Sequence, residues 1–188
     1  MPWQPAPYPI DSSNRSFQIC YQAANESCFP ASLAMARYYK TGRRAPEALA
    51  RFAVQIGSNS SASLNMRDWD NNFTYYVEMG RGIAQAGLAY SAHTPGAYFL
   101  CNRCTTTYPA ICNVTWNGGG GHAVVCLGQV PAGNTIVILD PWFGLQEVPI
   151  AGLPSYDPVG TVSSPGNGQS SNGSFMNSPH HYLIIGAR

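Results

Sequence analysis

Short apolar runs separated by glycine, proline and asparagine dominate the second half of the chain. These runs lie at 109–116, 122–130, 135–139, 146–150 and 182–185. Apolar runs of this length, bounded by turn residues, are typical of β-strands. Residues 131–134 join two of them through a segment with the length of a hairpin loop. The pattern therefore predicts an antiparallel sheet in this half of the chain.

The first half shows helical spacing instead. Several apolar side chains recur near a 3.6-residue period, namely Leu33, Met35, Ala36 and Tyr39. Pro30 stands where the first turn of a helix tolerates proline, so we expect a helix that begins close to Cys28. Further helices are predicted over 46–56 and over about 66–85. Because the helices precede the strands and do not alternate with them, the sequence predicts an α+β fold.

Two segments fall outside this pattern. Residues 1–19 are rich in proline and polar side chains, and we expect them to lie extended across the surface. Residues 155–179 are rich in glycine, serine, proline and asparagine, which predicts a long loop. The chain has 188 residues and shows no internal repeat, so we interpret 1–188 as a single domain.

Charge and hydropathy limit the partners that we expect. The 10 Lys and Arg residues against 9 Asp and Glu residues provide no basic excess to neutralise phosphates, so we expect no nucleic-acid partner. Apolar runs stay well below the roughly 18 residues of a membrane-spanning helix, so we expect no membrane partner. The N-terminal residues show neither the positive start nor the apolar stretch of a signal peptide.

The 6 cysteines are too sparse to build a disulfide scaffold in a chain of 188 residues. Cys101 and Cys104 form one CxxC pair without a second pair, so a structural zinc site would lack its remaining ligands. For these two we leave open a disulfide, a redox pair or two ordinary loop cysteines. Cys112 and Cys126 lie inside apolar runs, where a cysteine is usually a small core hydrophobe. We expect no metal and no organic cofactor.

Cys28 is the candidate nucleophile, because it stands at the predicted start of a helix. Unpaired backbone N–H groups and the helix dipole favour negative charge at that position. A helix N-terminus and a neighbouring imidazolium both lower the pKa of a thiol, and the thiolate is the reactive form. An inert core thiol, or a disulfide between Cys20 and Cys28, is the alternative interpretation.

His122 and Asp140 are the candidate base and its orienting carboxylate. His122 follows the glycine run 118–121 and begins a predicted strand, whereas Asp140 ends the next strand. If residues 131–134 form a hairpin loop, both side chains lie at the same edge of the sheet. A carboxylate there would set the tautomer of the imidazole and stabilise the imidazolium. Taken singly, a structural histidine and an Asp-Pro turn are the more common explanations of the two residues, and it is their spacing that favours the catalytic interpretation.

Gln22 is the candidate oxyanion donor. Attack on a carbonyl generates an oxyanion that needs donors already in place. Gln22 precedes Cys28 closely, and its side-chain amide together with the Cys28 backbone N–H would supply two donors. A polar loop glutamine is the alternative. The four residues together predict a cysteine-dependent acyl-enzyme reaction.

The motifs around these residues resemble those of papain-like cysteine peptidases. Residues 22–39 are similar to the Gln-x5-Cys nucleophile helix of that family, particularly in its bacteriocin-leader-peptidase-like branch and in related effector proteases of plant pathogens. Residues 121–128 and 137–144 resemble the Gly-His strand and the Asp-Pro-x-x-Gly ending of the same branch. The resemblance covers about residues 18–150. The chain departs from the family pattern in Phe29, which follows the cysteine, and in its long glycine run.

The resemblance implies a papain-like fold, with an N-terminal helical lobe packed on a C-terminal antiparallel sheet lobe. It implies peptide-bond hydrolysis in the cleft between the lobes, with Cys28 as nucleophile, His122 as base and Asp140 as orienting residue. It gives Gln22 the oxyanion hole, and it implies a protein or peptide substrate.

A secreted toxin, or an effector delivered into a target cell, is the setting that we expect, with an immunity or inhibitor protein as a partner. Three alternatives stay open: an amidase that acts on cell-wall peptides, a transglutaminase-like acyl transferase, and a papain-shaped binding domain without activity. The first two use the same cysteine, histidine and aspartate, so the residues alone do not separate them from a peptidase.

Overall fold

The computed structural model describes residues 3–23, 27–46, 90–93, 102–117, 121–131, 133–153, 155–158, 173–175 and 182–185. Within them a helix, α1 (Cys28–Thr41), precedes the strands. The strands are β1 (Tyr90–His93), β2 (Ala110–Trp116), β3 (Gly121–Gln129), β4 (Thr135–Asp140), β5 (Gly144–Pro149), β6 (Ser155–Tyr156), β7 (Gly173–Phe175) and β8 (Tyr182–Ile185). None of the helices described is long and apolar enough to cross a membrane.

The strands form one antiparallel sheet with the order β1-β8-β2-β3-β4-β5. The short strand β7 pairs with both β2 and β6, which attaches β6 to the sheet. The five runs predicted as strands are all strands, with ends shifted by one or two residues. β1, β6 and β7 were missed because they are two to four residues long and have no sustained alternation of apolar and polar positions.

The predicted hairpin joins β3 to β4. The Val130 N–H donates to the Thr135 carbonyl oxygen at 2.9 Å, and Val125 lies opposite Leu139 in the register. Because the strands are antiparallel, the start of β3 and the end of β4 meet at one edge of the sheet. The hairpin prediction and the expected meeting of its two outer ends are confirmed.

Helix α1 begins at Cys28, close to where the sequence predicts it. It ends at Thr41, and the next residue, Gly42, caps it in the left-handed conformation with φ 71°. Its first nine residues are all buried, so this part is a core helix and lacks the single apolar face that the spacing predicted. The Ser32 hydroxyl donates to the Ala123 carbonyl oxygen at 3.0 Å. The helix that carries Cys28 is thereby tied to the strand that carries His122.

Both faces of the central strands β2, β3 and β4 are buried, which explains why these strands are nearly continuous apolar runs. One face packs on α1 through side chains that include Ile111, Ala123 and Val125. The opposite face holds a second cluster that includes Val114, Trp116 and Tyr156. Alternate residues of one strand therefore enter different clusters, as the two-residue period of a strand requires.

The predicted N-terminal segment and late loop differ from the structure, and two predicted helices lie almost entirely outside its described residues. Residues 1–19 are not confined to the surface, since Phe17 and Ile19 are buried in the core on the α1 side of the sheet. The loop predicted over 155–179 is wrong at β6 and β7, which pair with each other. The helices predicted over 46–56 and 66–85 lie almost entirely outside the described residues. The helical lobe, and with it the two-lobe arrangement, stays a prediction.

Candidate active site

His122 and Asp140 form a buried pair where β3 begins and β4 ends. The His122 Nε2 atom lies 2.9 Å from Asp140 Oδ1. His122 is 1% exposed and Asp140 is 0% exposed. The hairpin between β3 and β4 positions both side chains, because it brings the start of β3, where His122 is the second residue, beside the end of β4, where Asp140 is the last residue.

Four donors surround the Asp140 carboxylate. Besides His122, the backbone N–H groups of Trp142 (2.6 Å) and Phe143 (3.0 Å) donate to Oδ1. The Tyr156 hydroxyl donates to Oδ2 at 2.7 Å. Burial by itself would raise the pKa of Asp140, but the His122 charge and these hydrogen bonds hold the pKa below its usual value. Asp140 therefore both closes an Asp-Pro turn and contacts the imidazole, so the two interpretations of this residue hold together.

The His122 ring lies between two tryptophans. Its centroid is 5.3 Å from that of Trp116 and 5.0 Å from that of Trp142, with interplanar angles of 27° and 20°. Burial lowers the pKa of His122, but the Asp140 carboxylate and hydrogen bonds to Asp140 and Cys28 raise it to about 10. The aromatic faces add further stabilisation to a cationic ring. At neutral pH the ring is therefore an imidazolium.

Cys28 is the first residue of α1, and its thiol forms a hydrogen bond with the His122 ring. Since Nε2 is held by Asp140, the thiol faces the other ring nitrogen, Nδ1. Cys20 and Cys28 form no disulfide, so the alternative of a disulfide between them is wrong. Cys28 is 2% exposed. Cys28 belongs to the apolar cluster on the α1 side of the sheet, as an inert core thiol would, but it also contacts an ionisable ring.

Gln22 lies beside the turn that follows Asp140. It is buried, and its backbone N–H donates to the Pro141 carbonyl oxygen at 3.0 Å. This contact ties the segment before α1 to the Asp140 turn. The role of its side-chain amide in an oxyanion hole stays a prediction.

Three residues in contact with the candidate site were missed in the sequence: Trp116, Trp142 and Tyr156. Trp142 follows Asp140 closely, and an aromatic residue beside a predicted catalytic turn is a usable signal. Trp116 ends β2 and pairs across the sheet near His122, which only the strand register reveals. Tyr156 lay in a segment interpreted as a loop, so no pattern marked it.

A second group of cysteines lies on the sheet face opposite α1. Cys104, Cys112 and Cys126 are buried and form no disulfide, and the thiols of Cys104 and Cys112 both form hydrogen bonds with Cys126. Cys101 is outside the described residues. Within the ranges that the structure describes, no group of three or more His, Cys, Asp or Glu side chains has an arrangement that could hold a metal ion.

The fold is that of the bacteriocin-leader, or double-glycine, peptidase domains among the papain-like cysteine peptidases, as the sequence motifs predicted. No protein-family model matches the chain, and no curated protein matches it in sequence.

Three solved structures illustrate the likeness. A double glycine motif protease from an AMS/PCAT transporter, crystallised with its leader peptide, matches with a TM-score of 0.50 and 20% identity over 90% of this chain and 91% of its own. The peptidase domain of Streptococcus ComA, a bifunctional ABC transporter of a quorum-sensing pathway, matches with a TM-score of 0.54 and 16% identity over 89% of this chain and 96% of its own. The Pseudomonas avirulence protein AvrPphB matches with a TM-score of 0.39 and 12% identity over 68% of this chain and 77% of its own.

Proposed function

We propose that this chain is a cysteine peptidase in which Cys28 attacks the carbonyl carbon of a peptide bond. The observation that carries the proposal is the contact of one imidazole with two partners, the Cys28 thiol and the Asp140 carboxylate. A nucleophile, a base and an orienting group arranged in this way are the components of nucleophilic catalysis. The fold of peptidase domains supports the same class of reaction.

The proposed reaction has two steps. The Cys28 sulfur bonds to the carbonyl carbon while His122 holds the proton, which gives a tetrahedral oxyanion. As the C–N bond breaks, the imidazolium returns the proton to the leaving amine and a thioester remains on Cys28. Water then attacks the thioester, with His122 as base, and releases the carboxylic acid and the free thiol. Gln22 is proposed to donate to the oxyanion in both steps.

A peptide segment is the proposed substrate. The double glycine motif protease among the similar structures was crystallised with a leader peptide, and we extend that substrate class to this chain. The low exposure of Cys28 means that a peptide reaches the sulfur only after its surroundings move apart. Export or delivery into a target cell, and an immunity or inhibitor protein as partner, remain part of the proposal. Analysis of culture supernatant against cell lysate tests the first of these.

The test compares two alanine variants of buried cysteines, Cys28→Ala at the candidate site and Cys112→Ala on β2. Each protein is incubated with casein, with a proteome-derived peptide library and with isolated peptidoglycan, and the products are identified by mass spectrometry. We expect wild type and Cys112→Ala to cut peptide bonds in casein or in the library, and Cys28→Ala to cut neither while retaining the wild-type circular dichroism spectrum.

The other outcomes separate the alternatives. Release of fragments from peptidoglycan alone would favour the amidase, and amine incorporation without hydrolysis would favour the acyl transferase. Activity retained in Cys28→Ala would mean that the nucleophile lies elsewhere. No product from any substrate with wild-type protein would favour the binding domain.

A further inference from the structure

We propose that Tyr156 is a positioning residue, which fixes the Asp140 carboxylate through its hydroxyl and supports the Trp116 ring through its own ring. The inference rests on the proposed function, because it takes Cys28, His122 and Asp140 as the reacting set. Tyr156 itself touches neither the thiol nor the imidazole in the contacts described above, so its action passes through its two neighbours.

The hydroxyl holds one of the two carboxylate oxygens. Tyr156 Oη lies 2.7 Å from Asp140 Oδ2, and both residues are 0% exposed. The other oxygen, Oδ1, accepts from His122 and from the turn backbone. A buried carboxylate needs hydrogen-bond donors on both oxygens to remain ionised. With both oxygens held, rotation of the carboxylate away from His122 is prevented.

The ring of Tyr156 reaches the second support of the imidazole. It stacks on Trp116 with a centroid distance of 6.1 Å and an angle of 28°, and Trp116 stacks on His122. Tyr156 therefore contacts both the carboxylate and one of the indole rings that confine the His122 ring. A residue with a purely structural role would not need both contacts.

The backbone around Tyr156 is anchored to the sheet. In β6, Tyr156 lies opposite Gly173 of β7, and Gly173 lies opposite Trp116 of β2. Tyr156 and Trp116 thus face each other across one short strand, which fixes the distance between the two rings.

The protonation states favour the same role. Burial and the negative charge of Asp140 raise the pKa of Tyr156, so its hydroxyl remains a donor at all working pH values. Other titratable groups around Asp140 are His122 from β3, with Cys28 behind it, and Tyr21 from the N-terminal segment. Cys112 of β2 faces Tyr156. Of these groups, His122 and Tyr156 donate hydrogen bonds to the carboxylate.

The test substitutes Tyr156→Phe, which keeps the ring and removes the hydroxyl, and uses Tyr39→Phe as matched control. The Tyr39 hydroxyl also forms hydrogen bonds, partly buried ones to the backbone of Gln18, at 2.9 and 3.3 Å. The readout is the rate at which iodoacetamide alkylates Cys28. Mass spectrometry measures this rate at pH values from 3 to 9, a span of ~6 pH units. This measurement requires no substrate.

We expect Tyr156→Phe to slow alkylation of Cys28 about tenfold near neutral pH, the loss typical of one hydrogen bond to a charged group. Without the donor, the pKa of Asp140 rises, so the acid limb of the profile moves to higher pH. Tyr39→Phe should match wild type. Tyr156→Leu, which also removes the ring contact with Trp116, should slow the reaction further.

A Tyr156→Phe profile identical to that of Tyr39→Phe would overturn the inference. If Tyr156→Phe fails to fold, 3-fluorotyrosine incorporated at position 156 replaces it. Its hydroxyl is a stronger donor, so the acid limb should then move to lower pH, and an unchanged limb would count against the inference. If the Tyr156→Phe shift is found but wild type cleaves no peptide, the proposed function fails and the positioning role stands.

Discussion

The His122 imidazole and the Asp140 carboxylate are 2.9 Å apart and enclosed by protein. Water does not screen a pair at this depth, so the carboxylate acts on the imidazole with nearly its full charge. The pair joins the second residue of β3 to the last residue of β4. It keeps the imidazole in an orientation in which the ring contacts the Cys28 thiol.

Asp140→Asn should lower peptide-bond cleavage less than His122→Ala does. The amide oxygen of asparagine can keep the contacts of Oδ1 with His122 and the turn, and its NH₂ group can donate to the Tyr156 hydroxyl, so mainly the charge is lost. We expect the loss for Asp140→Asn to be at least about tenfold smaller than the loss for His122→Ala, which should be at least about 1,000-fold. Initial rates on one cleaved peptide measure both. An Asp140→Asn variant as active as wild type would reduce Asp140 to a turn residue.

The stability of the protein should fall as the pH rises through the alkaline range. The pKa of His122 in the folded state is about 10, above its usual value of 6.5. The folded state therefore holds a proton that the unfolded state releases, and the resulting stabilisation is complete below pH 6.5 and lost as the pH rises toward about 10. Urea denaturation between these limits should show the free energy of unfolding of wild type falling by up to about 1.4 kcal/mol per pH unit relative to His122→Gln. Parallel curves for the two proteins would contradict the raised pKa.

Gly128→Ala should destabilise the protein far more than Gly42→Ala. Both glycines have positive φ, 84° and 71°, so alanine costs about 1 kcal/mol in each through the left-handed conformation. A Cβ at Gly128 would also lie 2.0 Å from the Cys104 carbonyl oxygen, whereas a Cβ at Gly42 meets nothing within 4 Å. We expect a loss of about 3 kcal/mol or more at Gly128. Equal urea midpoints for the two variants would mean that the backbone of Cys104 does not pack tightly against Gly128 of β3.

Ser32→Ala should weaken the link between the helix of Cys28 and the strand of His122. The Ser32 hydroxyl is buried and donates to Ala123, so its removal should cost about 1–2 kcal/mol of unfolding free energy. Thr41→Ala is the control: its hydroxyl donates to the Arg37 carbonyl oxygen at 2.7 Å on the exposed end of the same helix. That change should stay within about 0.5 kcal/mol. A Ser32→Ala effect no larger than that of Thr41→Ala would show that this contact does not hold the helix on the sheet.

Local pattern was sufficient to predict the elements that carry the candidate site. The start of α1 at Cys28 and the hairpin between β3 and β4 follow from short-range signals, namely helical spacing and loop length. Helix α1 carries Cys28, and the hairpin determines where His122 and Asp140 lie. The meeting of His122 and Asp140 could therefore be expected from the sequence.

The second support of the site depends on long-range pairing. Tyr156 lies in a two-residue strand, and Trp116 faces it across β7, which is three residues long. Strands this short have no alternation to recognise, and their pairing depends on residues far apart in the chain. The burial of Phe17 and Ile19 could not be predicted in the same way, because the prolines that precede them in the chain favour an irregular segment and do not indicate where that segment packs.

The order of the strands in the sheet has a consequence for biosynthesis. β8, which is made after every other element described, inserts between β1 and β2. A growing chain that has just released Asp140 from the ribosome therefore still lacks Tyr156 and the strand that joins β1 to the rest of the sheet. The proposed cleavage activity should therefore arise only once synthesis has passed residue 185.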